Sequence, residues 1–281
     1  MDLISKSVNM GHENISKKIG SILDIPYADI ESLDSFKWSL CNQGVAALQD
    51  SNIWNGKYGQ NIHYFLKNLE STKNVSKYKV FDSNECIKVI LPGYEEPGYC
   101  AIGSKGDRNN AFIEEGYELI LSTGYYDWLD KVFGCLILTG EPESNYHISS
   151  SQRDTPGTIY SQRFRSINEA AEVIVHESAH SALNLIFEGT GEMKSILTSN
   201  REYFSPWKDT LRPEFGFLHS VFAFSQVLFL RDYLTIDNKL LISNLNQVRL
   251  DLNHSLEHID NDTLKDIFQN IYSNIDRITY D

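Results

Sequence analysis

The sequence predicts an α+β protein in which helices dominate and strands are short. Long regions at both ends of the chain repeat apolar residues at the spacing of a helix face, as Ile30, Leu33 and Phe36 do. Between these regions lie short apolar runs flanked by Pro-Gly pairs, which indicate strands and turns. A largely apolar stretch at 168–187 has the length of a single helix.

The N-terminal part of the chain, up to residue 77, is predicted to be mostly helical. The stretch 52–59, rich in asparagine and glycine, interrupts the helical pattern as a turn. Two short strands are predicted to follow at 79–81 and 86–91, with Pro-Gly turns beside them.

The second half begins with a predicted helix at 110–129 and a buried strand in the compact apolar run at 132–139. The segment 158–164 is expected to form an edge strand beside the central apolar helix. An aromatic helix is predicted at 213–230, because proline suits the first turn of a helix. The leucine and isoleucine repeat at 238–278 predicts two more helices.

Composition limits the classes of partner. The chain has 281 residues and a net charge of −13, which disfavours non-specific binding to nucleic acid or to an anionic membrane. Its four cysteines show no CxxC spacing and are expected to be free thiols. The N-terminus lacks the apolar stretch of a secretory signal, and the longest apolar run is too short to span a bilayer. The expected location is the cytoplasm.

The most informative motif is the pentapeptide His176-Glu177-Ser178-Ala179-His180. Residues four apart lie on one face of a helix, so both imidazoles can reach one divalent ion with the glutamate beside it. The surrounding helix is largely apolar, which argues against a solvated face. A metal site is therefore favoured over two core histidines that merely bond to their neighbours.

Two histidines rarely suffice to hold an ion, so a third protein ligand is expected. Leu183 and Ile186 occupy the positions at which a metzincin would have glycine and histidine, and that class is excluded. His219, in the predicted aromatic helix, is the favoured third ligand. Three glutamates after the motif are weaker alternatives: Glu202, Glu192 and Glu188.

The other histidines lack a comparable context. His254 and His258 are also four apart, but Glu257 and Asp260 accompany them on what is predicted to be a polar helix. This second pair is therefore expected to be a solvated face.

The motif and the segments after it resemble a known family. SPWKD follows at 205–209, LRP at 211–213 and GFLHS at 216–220. This succession resembles the HExxH-motif peptide-modification family, whose members are iron(II)- and 2-oxoglutarate-dependent peptide β-hydroxylases of ribosomal peptide natural-product clusters. The resemblance covers roughly a quarter of the chain, 157–230, and its discriminating part is the WxD…RPxxGxLH segment.

The resemblance assigns roles to the same residues. His176, His180 and His219 would bind Fe(II) as a three-histidine variant of the usual set of two histidines and one carboxylate. The same three ligands also suit Zn(II). Arg212 would bind the far carboxylate of 2-oxoglutarate, since arginine forms the best bidentate pair with a carboxylate.

Alternatives remain open for the arginine that binds the cosubstrate and for the residues that line the pocket. Arg212 can instead form an ion pair with Glu214 or Asp209, in which case Arg163 or Arg165 would bind the cosubstrate. Tyr160 and Trp207 are candidates to line the pocket.

The expected role of Glu177 differs between the two candidate enzymes. In a zinc peptidase it would be the general base that activates water, whereas in an oxygenase it would orient a ligand or a substrate amide. The favoured function is Fe(II)/2-oxoglutarate-dependent β-hydroxylation of a precursor peptide during ribosomal peptide maturation. The alternatives are a zinc metallopeptidase acting on a leader or partner peptide, and a domain that only binds a peptide.

The expected architecture is zincin-like, with the HExxH helix beside a small mixed sheet. Residues 1–105 would form a helical N-terminal region with short strands. Residues 106–281 would form the HExxH metal-binding catalytic domain.

Overall fold

The computed structural model confirms the α+β class, with many helices, a four-stranded mixed sheet and two small antiparallel ribbons. The structure describes residues 2–23, 26–31, 33–49, 78–89, 98–101, 111–142, 147–234 and 239–280. The turn predicted at 52–59 and the domain boundary predicted at residue 105 lie outside these ranges.

The helices follow the predicted order along the chain. They are α1 (Asp2–Leu23), α2 (Tyr27–Glu31), α3 (Ser35–Gln49), α4 (Ala111–Ser122), α5 (Leu129–Val132), α6 (Ile167–Thr190), α7 (Met193–Leu197), α8 (Glu214–Tyr233), α9 (Lys239–Leu256) and α10 (Asp262–Tyr280). The helix predicted at 110–129 is divided, because α4 ends before Gly124, whose φ of 67° reverses the chain.

The four-stranded sheet has the order β1-β4-β6-β5. The strands of the protein are β1 (Lys79–Asp82), β2 (Ile87–Val89), β3 (Gly98–Cys100), β4 (Cys135–Leu138), β5 (Ser149–Ser151), β6 (Thr158–Ser161), β7 (Glu202–Ser205) and β8 (Thr210–Pro213). In the sheet β1, β4 and β6 run parallel, and β5 pairs antiparallel with β6.

The edge strand is β5, so the prediction that 158–164 forms the edge is wrong. β6 lies between β4 and β5, and all four of its residues are buried. β5 consists of three serines and has none of the apolar alternation by which a strand is predicted. β7 and β8 form a hairpin that leads directly into α8.

Helix α6 lies at the centre and packs mainly against α1, α4 and α8. Ser166 caps its N-terminus by accepting from the Glu169 amide, and Gly191 ends it in the left-handed conformation at φ 80°. The helix is buried along most of its length. α1 packs on α6 and β1 pairs with β4, so elements from both predicted regions share one core.

Cys41 is a buried free thiol, as expected. Among the described helices, none has both the length and the apolar content needed to cross a lipid bilayer.

The approach of α1 to α6 depends on glycine. A Cβ added at Gly11 would lie 1.8 Å from the carbonyl oxygen of Leu185, which belongs to the backbone and cannot turn away. We therefore expect Gly11→Ala to lower the free energy of unfolding by about 1–3 kcal/mol, the usual cost of overpacking. This loss is net of the roughly 1 kcal/mol by which alanine favours a helix over glycine.

Urea unfolding followed by circular dichroism measures this effect. Asn9→Ala, at an exposed position of the same helix, is the matched control and should stay within about 0.5 kcal/mol of the wild type. Equal stability of the two variants would show that the helices do not approach this closely.

Candidate metal centre

The three predicted histidine ligands lie in one continuous chain of imidazoles where α6 meets α8. His176 Nε2 is 3.2 Å from His180 Nε2, and the two ring planes are nearly perpendicular at 89°. His180 Nδ1 is 3.1 Å from His219 Nδ1. The sequence motif and the downstream histidine are therefore neighbours in space, as predicted.

The first two histidines fit a shared ion. Two nitrogens 3.2 Å apart, each about 2.1 Å from a common ion, subtend roughly 100° at that ion, between octahedral and tetrahedral angles. Since residues four apart share one helix face, the backbone of α6 supplies this geometry without strain. His176 and His180 can thus act together through Nε2.

His219 does not converge on the same point in this arrangement. It contacts the opposite nitrogen of the His180 ring, and no choice of one nitrogen from each ring brings all three within 4.8 Å of one another. Ligands of one ion lie at most about 4.2 Å apart, twice the bond length. His219 can complete the set only if an imidazole side chain turns; as it stands, it holds the His180 ring in place.

Burial keeps these imidazoles neutral. His219 is only 7 % exposed, and burial, helped by the nearby Arg212 charge, lowers its pKa to about 3. Burial also lowers the pKa of His180 well below its ordinary value, with further contributions from His176, His219 and Arg212. Burial lowers the pKa of His176, and Glu177 opposes this change. Neutral imidazole is the form that binds a metal.

The two contacts of His180 fit either tautomer of its ring, and binding of a metal through Nε2 would require one of them. If His180 donates from Nδ1 to His219 Nδ1, its Nε2 presents a lone pair towards His176. A metal-binding histidine is usually held in this way, by a bond from its other nitrogen. His219 then carries its proton on Nε2, which is buried and has no hydrogen-bond partner in the described residues.

Glu177 is held by the edge strand that sequence analysis missed. Its Oε1 accepts from the Ser149 hydroxyl at 2.7 Å and its Oε2 from the Ser151 hydroxyl at 2.9 Å. Alternate residues of a strand share one face, so β5 directs both hydroxyls at the carboxylate. Only 4 % of Glu177 is exposed, and the two serines satisfy a charge that would otherwise be costly to bury. Two serines two apart are too common for sequence to reveal this role.

Arg212 has no carboxylate partner within the described residues. Its Nη1 donates to the Ser220 hydroxyl at 2.7 Å, and its Nη2 lies 2.9 Å from where a Cβ of Gly216 would be. The alternative ion pair with Glu214 is not formed there, because Glu214 faces Arg201 at 3.5 Å. Burial of the half-buried guanidinium lowers the pKa of Arg212. An unpaired, partly desolvated guanidinium is a ready site for an anion.

The two alternative arginines are engaged elsewhere. Arg163 forms ion pairs of 2.8 Å with both Asp82 and Glu141. Arg165 is paired with Glu169, one turn further along. Arg212 is therefore the better candidate of the three to receive an anion.

A cavity of about 270 Å³ adjoins His176. Trp207 and Phe224 contribute to its wall and stack on each other at 4.5 Å, and the Phe224 ring lies 4.9 Å from that of His176. The Glu172–Arg231 ion pair, at 2.6 Å, forms a charged part of the lining. Trp207 thus lines a cavity next to His176, and its part in binding a cosubstrate or substrate stays a prediction.

Tyr160 is not among the residues that line this cavity. It is buried in the sheet, where its hydroxyl donates to the Tyr99 carbonyl at 3.0 Å.

The carboxylate alternatives for a third ligand lie elsewhere. Glu202 is exposed on β7, Glu188 pairs with Lys18 at 2.5 Å, and Glu192 accepts from Ser195 at 2.6 Å. Sequence analysis set His147 aside for lack of a comparable context, yet it lies just before β5 and bonds Ser161 at 2.7 Å. Burial lowers the pKa of His147 against the opposing charges of Glu169 and Glu177, which places it near the Glu177 carboxylate.

No protein-family model matches the chain, and no curated protein is detectably similar to it in sequence. The resemblance to the HExxH-motif peptide-modification family therefore stays a prediction that rests on the residues quoted above.

The lowered pKa of His219 predicts a pH dependence of stability. Unfolding restores an ordinary pKa near 6.5, so the unfolded chain takes up this proton first. The stabilisation is present above pH 6.5 and is lost progressively as the pH falls towards 3. By pH 5 the loss amounts to about 2 kcal/mol, at 1.36 kcal/mol per pH unit.

Unfolding of chelator-treated protein between pH 7 and pH 5 checks this expectation. His219→Gln removes the titrating group, so its free energy of unfolding should fall by about 2 kcal/mol less than that of the wild type. The same pH dependence in both proteins would contradict the burial of a neutral imidazole at this position.

Proposed function

We propose that the chain is an Fe(II)- and 2-oxoglutarate-dependent enzyme that hydroxylates a peptide side chain at the β-carbon. The observation that carries this proposal is the position of Arg212, a partly buried guanidinium whose charge acts on both His180 and His219. A cation beside a metal-binding pair disfavours a second cation unless an anion lies between them. A 2-oxo acid with a second carboxylate can bind the metal ion with one negative group and the Arg212 guanidinium with the other.

The roles of the residues follow from their contacts. His176 and His180 would hold the ion through Nε2, and His219 would either complete the ligand set or hold the His180 ring. Arg212 would bind the far carboxylate of the cosubstrate, with Ser220 fixing the guanidinium. When bound, Fe(II) would supply the redox chemistry by which O₂ oxidises 2-oxoglutarate to succinate and CO₂, with the second oxygen atom of O₂ entering the C–H bond as the hydroxyl group.

The cavity beside His176 would receive the substrate side chain. Its volume of about 270 Å³ exceeds the roughly 150 Å³ of an engineered cavity that binds benzene. Its aromatic and aliphatic walls favour an apolar group. The β5 edge strand, which holds Glu177, offers backbone groups to an extended peptide.

A zinc metallopeptidase is the second candidate, and Glu177 is the observation that favours it. The carboxylate lies next to the histidine pair in sequence, and Ser149 and Ser151 fix its orientation. A fixed carboxylate beside a metal is the arrangement of a general base that activates water. In the oxygenase the same contacts would make Glu177 a positioning residue for β5.

The first functional prediction concerns the cosubstrate. Removing one partner of a buried charged pair costs about 2–5 kcal/mol, so Arg212→Ala should raise the 2-oxoglutarate concentration for half-maximal turnover at least about thirtyfold. Arg212→Lys should recover only part of this loss, because lysine lacks the two-pronged fork. The measurement is succinate release under anaerobic loading with Fe(II), followed by admission of air.

Arg165→Ala is the matched control, because Arg165 is exposed and already paired with Glu169. It should leave the 2-oxoglutarate requirement unchanged. Normal cosubstrate affinity in Arg212→Ala would remove the support for the proposal. Failure of the wild type to release succinate would reject the oxygenase outright.

The second functional prediction separates the two chemistries through Glu177. Glu177→Gln keeps the size of the side chain and one acceptor oxygen for the serine hydroxyls but removes the base. Loss of a general base typically costs about 10²–10⁴-fold in rate. An oxygenase does not use Glu177 as a base, so turnover of 2-oxoglutarate should survive in this variant. A peptidase does, so peptide-bond cleavage should be lost.

Both assays are run on the same preparations of wild type and Glu177→Gln. Peptide-bond cleavage by the wild type that disappears in Glu177→Gln would establish the zinc peptidase instead.

A further inference from the structure

A second cluster of metal-binding groups lies at the end of α9. His254 occupies the last turn of this helix, and Glu257 and His258 lie in the turn that follows. One ligand atom from each of the three lies within 4.8 Å of the others. His254 Nδ1 is 3.4 Å from a Glu257 carboxylate oxygen.

The rings of this pair are arranged like those of the buried pair in α6. The centroids of His254 and His258 are 5.0 Å apart with ring planes at 82°, against 4.8 Å and 89° for His176 and His180. The spacing of four residues produces both arrangements. Here, unlike in α6, a third group of ligating type already lies within reach.

The surroundings also favour a cation. Residues 251–262 contain four acidic side chains and no lysine or arginine, so the local field attracts positive charge. The side chains of His254 and Glu257 are 63 % and 66 % exposed, which leaves the cluster open to an ion and to the waters that would complete its coordination. An exposed ion pair between them would by itself contribute little to stability.

We propose that His254, Glu257 and His258 form a surface site for a divalent transition-metal ion such as Zn(II). Two imidazoles and one carboxylate suit Zn(II), and also Ni(II) and Cu(II), far better than Mg(II) or Ca(II), which require oxygen ligands. The three residues are exposed, as the sequence predicted. This site does not depend on the ion or the function of the α6 centre.

The site would join two elements of the fold. The ion would tie the last turn of α9 to the turn that leads into α10, two helices that pack against each other. Leu256 and Ile259, on either side of Glu257 and His258, are buried and fix the backbone there. A ligand that binds only the folded chain stabilises it, so Zn(II) should raise the unfolding temperature.

The test is titration of Zn(II) into chelator-stripped full-length protein by calorimetry. The wild type should bind one more Zn(II) per chain than His258→Ala, and the same loss should follow from His254→Ala. Each change should weaken this binding step at least about tenfold, since even residues that merely support a ligand cost that much. Mg(II) at the same concentrations should give no such step.

Two variants that remove the same charge distinguish direct coordination of the ion by Glu257 from its general attraction to acidic side chains. Glu257→Gln and Asp260→Asn each remove one negative charge from the same exposed segment, but only Glu257 belongs to the cluster. Glu257→Gln should weaken Zn(II) binding markedly and Asp260→Asn only slightly. Equal effects of the two changes would show diffuse attraction and would overturn the proposal.

Retention of the untagged chain on immobilised Zn(II) gives an independent readout. The resin can reach exposed histidines but not the buried ones, so retention should be lost in His254→Ala and kept in His176→Ala. A His254→Ala/His258→Ala double variant that binds Zn(II) with the stoichiometry and affinity of the wild type would also refute the site.

Discussion

The burial of helix α6 is the constraint on which the candidate centre depends. A helix enclosed by α1, α4 and α8 can carry polar side chains only if each one finds a partner, because an unsatisfied buried polar group costs about 1–3 kcal/mol. His176 and His180 meet each other and His219, while Glu177 meets two serines. These contacts hold the rings of His176 and His180 and the carboxylate of Glu177 in place without an ion, so little entropy of these three side chains would be lost if the histidine pair bound one.

The distribution of charge is the main support for the proposal that an anion binds at this centre. Three neutral imidazoles lie beside the Arg212 guanidinium, which within the described residues has no carboxylate partner. A divalent ion bound to the histidines would be repelled by that guanidinium in a medium of low dielectric constant. An acid that chelates the ion at one end and reaches Arg212 at the other would relieve the repulsion at both. A water-activating peptidase needs no such cation, and this difference ranks the two candidate functions.

The sequence predicted the features that repeat along one helix face. His176 and His180 follow from their spacing alone, and α6 follows from its apolar residues. His219 could be singled out because it lies in a second apolar helix, α8, which the sequence also predicted. The contribution of β5 could not be predicted, because a serine hydroxyl that meets a carboxylate 26–28 residues away leaves no periodic signal.

The same limit applies to the surface cluster. From sequence, His254 and His258 look like other polar residues of an exposed helix. The structure adds that a carboxylate oxygen of Glu257, in the turn after α9, lies 3.4 Å from His254 Nδ1. Close approach of α1 to α6 at Gly11 is likewise a property of two segments far apart in the chain. Local patterns are thus predictable, whereas the identity of the group on the other side of a contact is not.

The most direct test of the central claim is the metal content of the α6 centre. The chain would be loaded with Fe(II) anaerobically in a His258→Ala background, which removes the surface site from the count. One ion per chain is the result expected, with none in His176→Ala or His180→Ala and at least about tenfold weaker binding in His219→Ala. Full occupancy after loss of either α6 histidine would contradict the account.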